Sequence, residues 1–393
     1  MSLLSKIEKS FRSRFSHEPS LFSAPGRINL IGEHTDYNDG LVLPAAINKY
    51  IHAAISKRDD HEIHLFSDDY DDYFKTSVDS IEPSGKLWPD YILGVVVEIQ
   101  KMGKVVGGFN MAFGGDIPLG AGLSSSAALE SVSAFALNAI FELELSLLQL
   151  AKIGQAAENN FVGVNCGLMD QFASIFGKKD HLIRLDCRSL EYETIPFHNQ
   201  DYQIVLFDTQ VKHSLASSAY NDRRRECERG VSLVRMHHPE VTSLREVSLD
   251  LLDKYVKAVD PLVYRRCQFV VREIQRLQDA CEDLRAGNFE SFGKRMYETH
   301  EGLKSDYEVS CPELDFLVAR AKLHPEVIGA RMMGGGFGGC TINLIRRDAV
   351  ERIASEMLLA YKVQLNLELA IYFVSIVDGA RAVDNKTLID PSK

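Results

Sequence analysis

Three stretches of this sequence hold residue types that could do chemistry, and each joins glycines to polar or charged side chains. In Pro118-Leu-Gly-Ala-Gly-Leu-Ser-Ser-Ser-Ala-Ala128, Gly120 and Gly122 let the backbone turn tightly and approach a bulky anion with no Cβ in the way. Ser124, Ser125 and Ser126 follow at the head of a helical apolar pattern (Ala127, Leu129, Val132, Phe135, Ala136, Ala139, Ile140), where N–H groups are unpaired and the helix dipole is positive. Such a turn suits a phosphate, and it lacks the Gly-Lys-Ser/Thr ending of the P-loop. In Ala24-Pro-Gly-Arg-Ile-Asn-Leu-Ile-Gly-Glu-His-Thr-Asp-Tyr-Asn-Asp-Gly40, Arg27 and the cluster Glu33, His34, Asp36 bracket a short apolar strand. Carboxylates and an imidazole at this density can accept and donate to a polyhydroxylated ligand. The third stretch, Met332-Met-Gly-Gly-Gly-Phe-Gly-Gly-Cys340, allows close backbone packing against a ligand or another loop. Taken singly, the three read equally as a capped buried helix, a solvated hairpin loop and a ligand-free hairpin.

These residues need a scaffold. The periodicity predicts a helix over 1–17, strands from 21 to 55 broken by Pro25-Gly26, Asn38-Asp39-Gly40 and Pro44, and further strands over 61–78. A helix over 91–102 and a strand over 109–113 lead into the phosphate turn, with helices at 124–143 and 146–160 behind it. Strands at 181–186, 191–195 and 203–208 open a second half. Helices at 214–235, 246–257, 261–286, 289–304 and 312–323, a strand–turn–strand at 328–346, a helix at 348–361 and a strand at 370–376 complete it. Strands and helices mix without strict βαβ alternation, so the expected class is α+β. A chain of 393 residues exceeds the usual limit of one core, and two domains are expected, 1–185 and 186–393.

A formal net charge of −11 argues against a nucleic-acid partner. The seven cysteines are scattered without C-x-x-C spacing, which argues against a disulfide framework or zinc site and for a reducing, cytoplasmic location. Charges interrupt the N-terminal segment, and no run is long and apolar enough for a membrane span. No protein partner is indicated.

Together, in this order and spacing, the three motifs resemble the small-molecule kinase family of galactokinase, homoserine kinase, mevalonate kinase and phosphomevalonate kinase. The run Gly26 to Gly40 is similar to the galactokinase signature almost letter for letter, and the likeness extends to Cys166-Gly-Leu-Met-Asp-Gln171 and Ser217-Ser-Ala-Tyr-Asn221. The resemblance implies a two-domain α+β kinase fold with its active site in the cleft between domains. It implies transfer of the γ-phosphoryl of ATP, with Mg²⁺, to the anomeric hydroxyl of α-D-galactose, giving galactose 1-phosphate.

Residue roles follow from the same resemblance. Asp170 matches the proton-accepting aspartate, and Arg27 the arginine beside it. Glu33, His34, Thr35, Asp36, Gly167 and Tyr220 match the sugar contacts. Gly120, Ala121, Gly122, Leu123, Ser124, Ser125 and Ser126 match the ATP phosphate turn, and Ser126 and Glu158 match the metal-proximal pair. Ser67 and Trp88 are candidates to border the adenine, and read equally as core or surface-packing residues. Outside that match Asp170 reads as a helix cap, Arg27 as a surface cation, and Glu158 as an exposed helix residue. Ala219 and Asp208-Thr-Gln210 depart from the pattern of many relatives in the segment delivering Tyr220. Two other readings stay open: a kinase for N-acetylgalactosamine or arabinose, and a sensor that binds galactose and ATP without catalysis.

Overall fold

The computed structural model describes residues 2–164, 166–197, 200–212 and 216–383, with only the backbone of Lys212 and of residues 216–218. The side chains of Ser217 and Ser218, part of the last matched segment, and residues 214 and 215 of the helix expected over 214–235 lie outside the described residues.

Alternating side chains explain the first layer. On β3 (Pro44–Lys57), Ile51, Ala53 and Ile55 face the main core, while Ala54 faces the other way, toward α1 (Leu3–Arg14). That helix lays Leu4, Ile7 and Phe11 against it, as the helical spacing predicts. The sheet is completed by β1 (Ser20–Asn29), β4 (Glu62–Ser67), β5 (Asp72–Ser77) and β6 (Phe109–Gly115), with β13 (Arg381–Val383) at its edge, in the order β13-β1-β3-β6-β4-β5. Its pairs are antiparallel except β4 with β6.

On the sheet's opposite face lie α2 (Leu87–Lys101), α3 (Ser125–Phe141), α4 (Leu147–Ala157) and α5 (Met169–Phe176). The apolar residues of α3 are buried almost all round, as expected for a helix enclosed by neighbours. α4 runs into a wider turn, Glu158–Val162, in which Gly163 N–H bonds the Glu158 carbonyl at 2.9 Å. The expected helix over 146–160 therefore ends differently from its start.

A three-stranded sheet pairs β2 (Leu41–Val42) with β7 (His181–Asp186) and β7 with β8 (Tyr192–Pro196). A four-stranded sheet has the order β10 (Val327–Met332), β11 (Gly338–Arg346), β9 (Tyr202–Lys212), β12 (Ala370–Val374). Around it lie α6 (Ala216–Arg235), α7 (Leu249–Tyr255), α8 (Pro261–Arg285), α9 (Phe289–Ser305), α10 (Pro312–Ala321) and α11 (Val350–Leu365). The class is α+β. The expected cut at 185/186 falls inside β7, whose hairpin pairs with β2, and the chain returns through β13 to the first sheet. Local periodicity says nothing about such returns. Two elements had no strong local signal at all, the eight-residue α5 and the three-residue β13. Among the described residues no helix is long and apolar enough to cross a membrane.

Candidate active site

β1 and β3 pair in regular register except for a shift between Pro25 and Arg27. A bulge of this kind re-aims a side chain, and Arg27 leaves the strand toward the head of α5. Its guanidinium forms a two-pronged pair with Asp170, Nε to Oδ1 and Nη2 to Oδ2, each at 2.9 Å. Nη1 donates to the Gly122 carbonyl at 2.5 Å, and the Arg27 N–H to the Leu123 carbonyl at 3.2 Å. The glycine of that turn is needed at position 122, where φ is +77° and the carbonyl points back at the arginine. Arg27 is buried, at 6% exposure, so the surface-cation reading fails.

Arg27 and Asp170 stand in the wall of a cavity of about 330 Å³, which Glu33, His34, Asp36, Glu158, Gly167 and Tyr220 also line. The structure thus gathers eight of the residues singled out from sequence. Gly167 meets Asp36 so closely that a Cβ there would lie 2.2 Å from Asp36 Oδ2. Lost hydration, with the like charges of Asp170 and Glu33 adding, pushes the Asp36 carboxyl up to about 6.

His34 adopts the left-handed backbone region, φ +62°, and is buried. Its Nδ1 pairs with the Tyr37 hydroxyl at 2.8 Å, and that hydroxyl with Tyr307 at 2.8 Å, whose oxygen lies 3.2 Å from Cys227 Sγ. Nε2 has no partner. Burial lowers the imidazole to about 4, so the ring is neutral at pH 7. A neutral ring with one nitrogen held and the other open suits a ligand hydroxyl.

Glu33 accepts from Gly334 N–H at 2.8 Å and from Arg331 at 3.1 Å, both on Oε1. Arg331 is wholly buried and also donates to the carbonyls of Asn29, Leu30 and Met332. One guanidinium therefore fastens the Met332–Cys340 stretch to the Ala24–Gly40 stretch. A lone arginine in the otherwise apolar run of β10 is the signal that sequence reasoning passed over.

Other expected residues sit elsewhere. Thr35 is fully buried and donates to the Gly32 and Leu41 carbonyls, at 2.9 and 2.5 Å; it builds the loop and does not line the cavity. Ser67, also fully buried, accepts from Tyr70 N–H at 3.4 Å. A second cavity of about 420 Å³ is lined by Trp88, Tyr70, Tyr91, Leu119, Ser125 and Ser126 among others, but not by Ser67. Ala121 and Leu123 point into the core. Ser124 turns its hydroxyl onto Asp170 Oδ2. The third stretch packs on this turn, with a Cβ at Gly339 falling 3.2 Å from the Ala121 carbonyl.

Glu158 is buried, not exposed on a helix surface: it stands four residues after Gly154 and seven after Ala151, on the face that α4 buries. Its Oε1 accepts from Ser126 at 3.3 Å and its Oε2 from Gln171 at 2.9 Å and the Cys166 thiol at 3.3 Å. Gln171 also donates to Glu130 at 2.8 Å. Lost hydration, then the charge of Asp170, raises the Glu158 carboxyl, and burial raises Glu130 further. Oxygen donors beside a carboxylate held at such cost are what a hard divalent cation takes. Such a cation needs few protein ligands, and among the described residues no set of three His, Cys, Asp or Glu side chains gathers to hold a metal.

The arrangement combines a cavity lined by polar groups, a carboxylate fixed by a guanidinium, and a glycine turn at a helix N-terminus. Family models match it in three blocks: the galactokinase galactose-binding signature over residues 9–57, the GHMP kinases N terminal domain over 90–178, and the GHMP kinases C terminal region over 280–363. A galactokinase of Roseiflexus sp. (strain RS-1) is 38% identical over 382 residues, covering 97% of each chain. A galactokinase of Thermotoga petrophila is 41% identical over 360 residues, 92% of this chain and 99% of the relative. The crystal structure of Lactococcus lactis galactokinase complexed with galactose superimposes with a TM-score of 0.92 at 35% identity, covering 97% of this chain and all of that one. With near-complete coverage at these identities, and the signature segment folded into the wall of the cavity, the chain belongs to the galactokinase family.

Proposed function

We propose that this protein transfers the γ-phosphoryl of ATP to the anomeric hydroxyl of α-D-galactose, giving galactose 1-phosphate and ADP. The observation that carries the reading is the Arg27–Asp170 pair: it stands in the cavity lined by Glu33, His34 and Asp36 and is bonded to the carbonyl of the phosphate turn. The relative solved with galactose, similar over nearly the whole chain, supports the sugar.

In this reading the sugar lies in the first cavity and the adenosine reaches toward the second, past Ser125 and Ser126. Asp170 accepts the hydroxyl proton. A sugar hydroxyl is a poor acid, so the carboxylate must be close and the proton leaves late. Arg27 holds the carboxylate in place and offsets charge on the transferring group. Ser126 and Glu158 fit Mg²⁺ by donor type and by the raised Glu158 carboxyl, which a cation would relieve. When bound, Mg²⁺ neutralises charge on the β- and γ-phosphates. The cavity walls come from both proposed domains, Arg27 and Asp170 from the first, Tyr220, Gly334 and Gly335 from the second. All seven cysteines are unpaired, which accords with action in a reducing cytoplasm.

The direct test is ATP-dependent phosphate incorporation into galactose, N-acetylgalactosamine and arabinose. Galactose should turn over fastest. A clear preference for another sugar replaces the substrate, and binding of both ligands without transfer identifies a sensor.

Two expectations follow for the sugar site. An alanine at position 167 pushes Asp36 out of place, because its Cβ would overlap Oδ2. Gly167→Ala should raise the KM for galactose by about 10-fold or more and leave that for ATP within about twofold; equal changes in both would refute a local effect.

Asp36 accepts sugar hydroxyls on both oxygens, in charge-assisted bonds, only when ionised, so galactose affinity should be full above about pH 7 and fall several-fold between pH 7 and 5 as the carboxyl protonates near 6. Because this carboxyl is raised in the folded state, its effect on the sugar-free fold has the opposite sense. It weakens stability at neutral pH, and the penalty is relieved as pH falls through 6 toward 4. Calorimetry in buffers of different ionisation heat should detect proton release on binding near pH 6. No release, or an unchanged pH profile in Asp36→Asn, would remove Asp36 from this role.

A further inference from the structure

A carboxylate offers about four in-plane acceptor sites, two on each oxygen. On Asp170, Arg27 Nε occupies one site of Oδ1 and Arg27 Nη2 one site of Oδ2. The Ser124 hydroxyl donates to Oδ2 as well. Among the described residues Oδ2 is therefore full, and the single site left is on Oδ1.

Ser124 reaches Oδ2 from an unusual backbone. It is the residue before α3, where a serine ordinarily is extended and caps the helix with its hydroxyl. Here its φ and ψ are +58° and +56°, in the left-handed region, and its side chain makes no cap bond. This conformation disfavours any residue with a side chain, and such strain persists where the surroundings enforce it, often at functional sites. The preceding turn enforces it: Gly122 and Leu123 are tied through their carbonyls to Arg27, so the next residue must swing its side chain to the same carboxylate.

We propose that Ser124 is a positioning residue that reserves Oδ1 of Asp170 as the proton acceptor, and that its hydroxyl does not serve as an ATP phosphate ligand. This rests on the transfer reading above. In that step the anomeric oxygen forms its bond to the γ-phosphorus. The bond between that phosphorus and the β,γ-bridging oxygen breaks, its electron pair leaving on ADP, and the sugar hydroxyl proton passes to Oδ1. Without Ser124, Oδ2 opens as a competing acceptor.

The test uses Ser124→Ala, which removes the hydroxyl and keeps the strain, and Ser124→Gly, which removes both. Each should lower kcat by about tenfold with both KM values within about twofold. The acid limb of the kcat–pH profile should move in both variants. Thermal midpoint should rise in Ser124→Gly and not in Ser124→Ala, so that rate and stability part company. A raised KM for ATP with an unmoved acid limb would make the hydroxyl a phosphate ligand and overturn the proposal. Wild-type kcat and pH profile in either variant would overturn it too. Asp170→Asn assayed alongside separates the premises, since an active Asp170→Asn refutes the transfer reading itself, whatever the serine variants do.

Discussion

Replacing Asp170 by asparagine should lower kcat by about 10³-fold while galactose still binds within a few-fold of the wild-type affinity. The two side chains have nearly the same shape, so the cavity keeps its form. What changes is the chemistry: the amide oxygen is a far weaker base, and the amide NH₂ must face donors already aimed at the carboxylate, from Arg27 and Ser124. One of those hydrogen bonds is lost, which costs stability by about 1–3 kcal/mol. A coupled assay of ADP formation measures turnover, and calorimetric titration with galactose measures binding. Near-normal turnover would show that no proton needs to reach this carboxylate. Loss of sugar binding to the same degree as turnover would make Asp170 a binding residue only.

The second large effect concerns its partner. Arg27→Ala should lower kcat by about 10²–10³-fold, the usual consequence of removing a group that stabilises developing charge. It leaves the Gly122 carbonyl without its side-chain donor and a partly buried carboxylate with only the Ser124 hydroxyl, and destabilises the fold by about 3 kcal/mol. The backbone bond from Arg27 N–H to the Leu123 carbonyl survives, so the turn stays tied to β1 and the protein still folds. Arg27→Lys restores the charge without the fork and cannot reach Gly122 and both Asp170 oxygens together; its kcat should fall between the two. Partial recovery of Arg27→Ala by added guanidinium compounds would separate charge from architecture. An alanine variant that melts early yet turns over normally would make this arginine structural.

Much of the fold was legible because its signals are local. The 3.6-residue spacing of Leu4, Ile7 and Phe11 marks α1, and the apolar run after Ser126 marks α3. α5 escaped notice because eight residues barely make two turns, although its first turn carries Asp170. Glu158 looked exposed because its charge suggested solvent, whereas its place on the face of Ala151, Gly154 and Ala157 turns it inward. Tyr37 and Tyr307, which hold His34, were unreadable as a pair at a separation of 270 residues. The same distance problem hid Arg331, which meets Glu33 from 298 residues away.

By itself the sequence determined the inventory: two glycines and three serines where a phosphate turn meets a helix, a polar cluster after β1, a third glycine stretch, and a composition ample for an α+β core. It did so because propensity, turn chemistry and residue type act over a few neighbouring positions. The tertiary structure alone decided who meets whom. It set Arg27 against Asp170 across 143 residues, turned Thr35 into the loop, kept Ser67 out of the second cavity, and aimed Ser124 at a carboxylate. Those outcomes depend on strand register, a bulge and one left-handed residue, each set by the closure of the whole chain, and no short stretch of sequence encodes them.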